Sequence, residues 1–125
     1  MPTGPNGYEV RHDHEGNLVE MIPCDDEPDV LFPMILRRAD PIIEAAYRVL
    51  WDKVWWNRHM AIHSMAGKDC KSEPLIGCDK AMAIEAKYGH DYLIPTSQVE
   101  WGITQGKMMA LAWVHGSEWE GSGDT

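Results

Sequence analysis

The segment over residues 40–65, DPIIEAAYRVLWDKVWWNRHMAIHSM, constrains the fold more than any other part of the chain. Asp40 is a good N-cap residue, Pro41 suits the first helical position, and Gly67 is a typical helix terminator. The sequence therefore predicts a helix over residues 40–66. Its apolar residues cover roughly half of the helix circumference, and tryptophans extend onto the remainder, so this helix needs more cover than an ordinary surface helix.

Two further helices are predicted, over residues 78–88 and 97–115. The last of them begins with Ser97, and Glu100 follows three residues later, which is the pattern of a capping box. A 125-residue chain with so few helices has little material to cover the first one. The sequence therefore favours contact of that helix with a second subunit or a partner protein. We expect the contact residues to be Trp51, Trp55, Trp56 and Phe32.

The N-terminal part is predicted to form a β-hairpin over residues 8–22, because two apolar runs flank the turn-forming sequence Glu15-Gly16-Asn17. The segment from Pro23 to Pro33 contains three prolines, which disfavour a helix, and four acidic residues, which disfavour burial in the core. We predict an extended acidic arm there.

The fold class that follows is mainly α. We expect a small bundle of about three helices to which the hairpin and the acidic arm are attached. In terms of domains, the sequence predicts a flexible N-terminus over residues 1–7, a single globular domain over residues 8–119, and a flexible tail over residues 120–125.

Charge and cysteine content indicate the class of partner and the compartment. The formal net charge of −9 disfavours nucleic-acid binding, because a phosphate backbone would be repelled. Three cysteines without CxxC spacing favour a reducing compartment over a secreted disulfide framework. No signal-peptide pattern and no stretch of about 18 apolar residues occurs. We expect a cytoplasmic protein with no direct nucleic-acid partner and no membrane partner.

The predicted first helix also carries a polar stripe of Asp52, His59 and His63. Two histidines four residues apart with a carboxylate can bind zinc or another divalent ion, although the Glu of a zinc-protease HExxH motif is missing. A second set joins Cys70 and Cys78 to His63 or His90 around a metal. The alternative for both sets is structural: histidines that hydrogen-bond locally, and thiols that fill small apolar holes.

The C-terminal run EWGITQGKMMALAWVHGSEWEGSGDT and the WWNRHM motif of the first helix resemble a family of small bacterial proteins. Members carry EWG, GK, AL, WV and a final EW in the same order. The resemblance covers about the second half of the chain. Since no activity is known for that family, the resemblance implies a compact domain and leaves the function open.

Three functional hypotheses follow from the sequence. The first is a non-catalytic accessory or assembly protein, which binds another protein or a second copy of itself through the Trp-rich helix and the acidic arm. The second is a metal-binding protein or metal-dependent enzyme that uses His59 and His63 with a carboxylate. The third is an acidic inhibitor that mimics nucleic acid and presents the charges of Asp25, Asp26, Glu27 and Asp29.

Overall fold

The computed structural model describes residues 2–67, residue 70 and residues 76–118. Within these residues, three strands precede four helices: β1 (Val10–His12), β2 (Leu18–Pro23), β3 (Leu31–Arg37), α1 (Asp40–Met65), α2 (Cys78–Tyr88), α3 (His90–Leu93) and α4 (Gln98–Val114).

The chain divides into two compact units, Met1–Ala45 and Ala46–Thr125, and the division falls within α1. The first unit contains the strands, and the second contains most of α1 and the other helices. The predicted tail over residues 120–125 lies outside the described residues.

The strands form an antiparallel sheet in the order β1-β2-β3. The predicted hairpin is confirmed. Its turn is closed by the Asp13 carboxylate, which accepts hydrogen bonds from the backbone N–H groups of Glu15 and Asn17. Gly16 has a φ of +87°, a conformation that glycine adopts without steric penalty. The turn therefore fixes how β1 and β2 pair.

The prediction of a mainly α bundle of about three helices is wrong, because the predicted acidic arm continues into a third strand. β3 pairs with β2 with one irregularity between Leu18 and Val19, and it places Ile35 opposite Val19 and Phe32 opposite Ile22. Pro33 does not prevent the pairing, since β3 is an edge strand of the sheet and its outer side needs no donors. The acidic residues occupy only the exposed connection between β2 and β3.

The three predicted helices are confirmed as α1, α2 and α4. α1 ends just before Gly67, whose φ is +69°. At the start of α4 the hydroxyl of Ser97 accepts a hydrogen bond from the Glu100 N–H, as the capping box predicts. The short helix α3 lies between the second and third predicted helices, where the sequence predicted no helix. Within the described part of the chain, no helix is both long enough and apolar enough to cross a membrane.

The core of the second unit lies where α1, α2 and α3 meet. Its buried members are Trp56, Ala81, Ile84 and Leu93, with Trp55, Met60 and Tyr88 packed against them. Leu93 is fully buried. The single turn of helix α3 places this side chain in the core. The packing fixes the last turns of α1 against the start of α2, and these two elements carry the candidate site.

Candidate metal centre

Two histidines and two cysteines converge at the C-terminal end of α1. His59 and His63 are one turn apart on α1, Cys70 lies in the connection that follows, and Cys78 is the first residue of α2. One ligand atom from each of the four side chains lies within 4.8 Å of all the others. This group, called the Cys/His centre below, can hold a metal ion.

The distances between sulfur and nitrogen atoms suit a tetrahedral ion. Cys70 Sγ is 3.5 Å from His59 Nε2, and Cys78 Sγ is 3.6 Å from His59 Nε2 and 3.3 Å from His63 Nε2. Zinc bonds of about 2.3 Å to sulfur and about 2.0–2.1 Å to nitrogen place tetrahedral S and N ligands about 3.6 Å apart. The three sulfur–nitrogen distances are close to this value.

Burial keeps the imidazole of His59 in the form that binds metals. Desolvation lowers the pKa of His59, and the neighbouring charge of His63 lowers it further. A neutral imidazole has a lone pair for a metal, and protons compete for it less at neutral pH. His63 is only 2% exposed, and its Nδ1 atom has no hydrogen-bond partner among the described residues.

Aromatic rings and a glycine hold His59 in place. The indole of Trp55 stacks on the His59 ring with centroids 5.1 Å apart, and Trp51 stacks on the other side of Trp55. Gly77 approaches from the N-terminus of α2, where an added Cβ would lie 3.3 Å from His59 Cε1 and from Trp55 Cζ2. The Lys80 ammonium covers both indoles, 4.6 Å from the Trp55 centroid.

The two cysteines of the Cys/His centre are joined in a disulfide, with Cα atoms 5.5 Å apart. A metal-ligating sulfur is a thiolate, so the centre is a four-ligand metal site only in the reduced chain. Cys24, in the first unit, is a free thiol.

The carboxylate that the sequence suggested as a third ligand lies elsewhere. Asp52 accepts a hydrogen bond from the Tyr88 hydroxyl at 2.9 Å and is not part of the Cys/His centre. The seven residues that separate Asp52 from His59 correspond to roughly 10 Å along a helix axis, too far for one small ion. His90 is also outside the centre and instead meets the edge of the Trp56 ring.

The residues predicted to contact a partner lie in different environments. Trp56 is 1% exposed and belongs to the core, so a partner protein cannot contact its side chain. Trp51 and Trp55 are half-buried in the stack beneath Lys80. Phe32, by contrast, is 44% exposed on the edge strand β3.

No protein-family model, no curated protein and no solved structure matches this chain. The resemblance of its C-terminal half to small bacterial proteins therefore stays a prediction. The end of that signature, from Trp119 onward, lies outside the described residues.

All four ligand residues are predicted from the sequence as candidate ligands, but no single predicted set contains all four. The helical stripe combines His59 and His63 with a carboxylate, and the second predicted set combines the two cysteines with His63 or His90. Gly67 follows α1 with a φ of +69°, and Cys78 opens the next helix, but no local signal shows that Cys78 lies beside the histidines.

Proposed function

We propose that this chain is a zinc-binding protein in its reduced form, with His59, His63, Cys70 and Cys78 as the ligands. The observation that carries the proposal is the convergence of four ligand atoms within 4.8 Å. Two thiolates and two imidazoles are a typical ligand set for zinc in tetrahedral coordination, whereas calcium and magnesium prefer oxygen ligands. A cytoplasmic location, where thiols stay reduced, fits this proposal.

The role that we propose for the zinc ion is structural rather than catalytic. Four protein ligands fill a tetrahedral site, whereas a catalytic zinc keeps a position open for water or substrate. The ion would bind the end of α1 to the start of α2 and close the connection between Met65 and Cys78. Apparent binding free energies of structural zinc are about 10 kcal/mol or more, so loading should raise stability strongly.

The test is a metal titration of the full chain, purified without a histidine tag and kept reduced. We expect one zinc ion per chain and, with cobalt as a probe, the thiolate-to-metal charge-transfer absorption of a tetrahedral sulfur-containing site. Cys78→Ser and His63→Ala should lose the ion. A reduced wild-type chain that takes up no zinc would contradict the proposal, even if the variants fail to fold.

Two matched controls separate the Cys/His centre from other candidate ligands. Cys24→Ser removes a free thiol in the first unit, and Asp52→Ala removes the carboxylate bound to Tyr88. Both variants should keep one zinc ion per chain. Loss of zinc from Asp52→Ala alone would instead support the ligand set suggested by the helical stripe.

A second candidate function is protein assembly, and the surface of α4 favours it. Val99, Ile103 and Trp113 lie on one face of this helix and are 72%, 52% and 54% exposed. Exposed apolar residues at helical spacing are typical of a helix that packs against another element. We propose that a protein partner, most simply a second copy of the chain, covers this face, with Phe32 on β3 as a separate apolar contact.

The oligomeric state tests the assembly proposal. Ile103→Glu should shift a dimer toward the monomer in sedimentation equilibrium, because it places a charge in the apolar face. Met82→Glu is the control, since Met82 is similarly exposed, at 46%, but lies on α2. A wild-type chain that is monomeric at high concentration would contradict assembly through a second copy. The nucleic-acid mimic suggested by the acidic residues stays a prediction.

A further inference from the structure

Cys70 and Cys78 have two mutually exclusive chemical roles at one place. They form a disulfide, and their sulfurs also belong to the Cys/His centre. A disulfide holds its sulfurs about 2.0 Å apart. Two thiolates on one tetrahedral zinc ion are about 3.8 Å apart. The pair can therefore bind the ion or form the disulfide, but not both at once.

We propose that the Cys70/Cys78 pair is a redox switch through which a peroxide releases zinc from the Cys/His centre, an inference that rests on the zinc-binding function proposed above. In the reduced chain, two thiolates and two imidazoles hold the ion. In the oxidised chain, only the imidazoles of His59 and His63 remain as ligands. Two neutral nitrogen ligands without thiolate charge hold zinc far more weakly than the complete set.

The oxidation needs one molecule of hydrogen peroxide per zinc ion. One zinc-bound thiolate attacks a peroxide oxygen, the O–O bond breaks, and a sulfenic acid forms as hydroxide leaves. The second thiolate attacks that sulfur, which forms the S–S bond and expels a second hydroxide. Two protons from solvent turn both hydroxides into water. Two electrons pass from the sulfurs to the peroxide, and zinc leaves as the same divalent ion.

The structure favours a reversible switch because the oxidised pair stays beside its imidazoles. Cys78 Sγ lies 3.3 Å from His63 Nε2, and Cys70 Sγ lies 3.5 Å from His59 Nε2. Reduction by a dithiol, which is itself oxidised to a disulfide, returns both thiolates to positions from which they bind zinc. Neither α1 nor α2 has to move far for this.

Burial favours a small oxidant. Cys70 is 8% exposed and Cys78 is 3% exposed, so a bulky protein disulfide has poor access to either sulfur. Hydrogen peroxide is small enough to enter such a site. Zinc-bound thiolates also carry no proton, which is the form of sulfur that attacks peroxide. Cys24, which is partly exposed in the other unit, is a third thiol that peroxide could oxidise, and it is therefore removed in the experiment.

The experiment uses the full chain with Cys24→Ser, so that the remaining thiols are those of the switch. The reduced, zinc-loaded chain is treated with hydrogen peroxide in molar excess. Released zinc is measured with a chromogenic chelator, thiols by a colorimetric reagent, and the product by intact mass. We expect zinc to fall from one ion per chain to near zero as two thiols disappear and the mass falls by two hydrogens. Dithiothreitol should restore both thiols and zinc binding.

Other outcomes separate the switch from zinc binding itself. Zinc that stays bound while the peroxide is consumed overturns the switch and leaves the zinc proposal standing. Release that accompanies sulfinic acids, which dithiothreitol cannot reduce, also overturns the switch, as does release together with loss of helical circular dichroism. A reduced chain that never takes up zinc overturns the zinc proposal, and the switch with it.

Discussion

The indole of Trp55 lies flat on the imidazole of His59, with ring centroids 5.1 Å apart and ring planes inclined by 9°. The two residues are one turn apart on α1, so the stack follows directly from helical spacing. The same imidazole turns its Nε2 atom to the sulfurs of Cys70 and Cys78. An aromatic ring of the core is thus in direct contact with a candidate zinc ligand.

This contact predicts a fluorescence signal for metal binding. Cobalt bound at His59 should quench Trp55 strongly, because its partly filled d shell accepts excitation energy over such a short distance. We expect Trp55→Phe to lose the largest single share of the quenching seen in the reduced wild-type chain, with Trp51 and Trp56 on the same helix giving smaller shares. Trp113→Phe is the control, since this residue is 54% exposed on α4 and should leave the quenching nearly intact. Equal quenching in both variants would place the metal elsewhere.

Gly77 is predicted to be essential for the shape of the centre. Its φ of +96° is unfavourable for other residues, and an added Cβ would press on His59 and Trp55 at 3.3 Å. Gly77→Ala should lower the free energy of unfolding by about 1–3 kcal/mol, in the range expected for such backbone strain, and should also weaken zinc binding. Calorimetry and a competitive zinc titration measure the two effects.

The matched control for that variant is Gly116→Ala. Gly116 also has a positive φ, of +106°, but an added Cβ there meets no described atom within 4 Å. This variant should lose stability through the backbone alone and keep the wild-type affinity for zinc. If both variants bind zinc as the wild type does, Gly77 does not shape the site.

Local signals in the sequence predicted the helices well. Gly67 and Ser97 act through a backbone conformation and a hydrogen bond within a few residues of a helix end, so their effect can be inferred without the tertiary structure. Asp40, the predicted N-cap, is instead the first residue of α1, and its carboxylate accepts a hydrogen bond from Arg37. The third strand was missed for the opposite reason. Its pairing with β2 depends on residues distant in the chain, and a proline fits a paired strand only at an edge or a bulge, which the local sequence does not reveal.

The same distinction applies to the candidate site: helical spacing predicts part of it, and contacts between distant residues provide the rest. His59 and His63 were selected together because helical spacing places them on one face. Asp52 was added on the same local ground, but the Tyr88 hydroxyl that binds it comes from another helix, 36 residues away. Cys78 enters the centre only because packing of α2 on α1 brings it there, and no spacing rule in one sequence predicts that contact.

The contact between Asp52 and Tyr88 predicts that the Tyr88 hydroxyl loses its proton at a higher pH than an ordinary tyrosine. Burial raises the pKa of the Tyr88 hydroxyl above its usual value of about 10, and the hydrogen bond to Asp52, the charge of Asp52 and Tyr92 raise it further. Asp52→Ala should move this pKa only part of the way back, because burial remains. Ultraviolet absorbance of tyrosinate, corrected with Tyr88→Phe, measures the shift.

The free energy of unfolding of the wild-type chain should depend on pH through the Tyr88 hydroxyl. A raised folded-state pKa stabilises the fold fully below about pH 10, the usual value for tyrosine. That stabilisation is lost as the pH rises through the folded-state pKa. Asp52→Ala should therefore show a shallower loss of stability at alkaline pH than the wild type. An identical pH dependence in the two proteins would mean that the hydrogen bond does not persist in solution.

Glu20 predicts an acid-sensitive attachment of the N-terminal segment. Its fully buried carboxylate accepts hydrogen bonds from the backbone N–H groups of Asn6 and Tyr8 and from the Asn6 side chain. Desolvation acts to raise the pKa of Glu20, but these hydrogen bonds together outweigh it, so the pKa lies below its usual value. The attachment should be complete above about pH 4.3, the usual value for Glu, and should be lost as the pH falls through the lower folded-state pKa.

Hydrogen exchange measures this attachment at the amides of Asn6 and Tyr8. Glu20→Gln should accelerate exchange there at neutral pH, because a neutral amide oxygen accepts more weakly and its NH2 group faces the donors of the segment. Glu15→Gln is the control, since Glu15 is exposed in the hairpin turn. Protection of both amides that is unchanged in Glu20→Gln would show that the segment is held by its backbone contacts alone, such as the hydrogen bond from Gly4 N–H to the Tyr8 carbonyl.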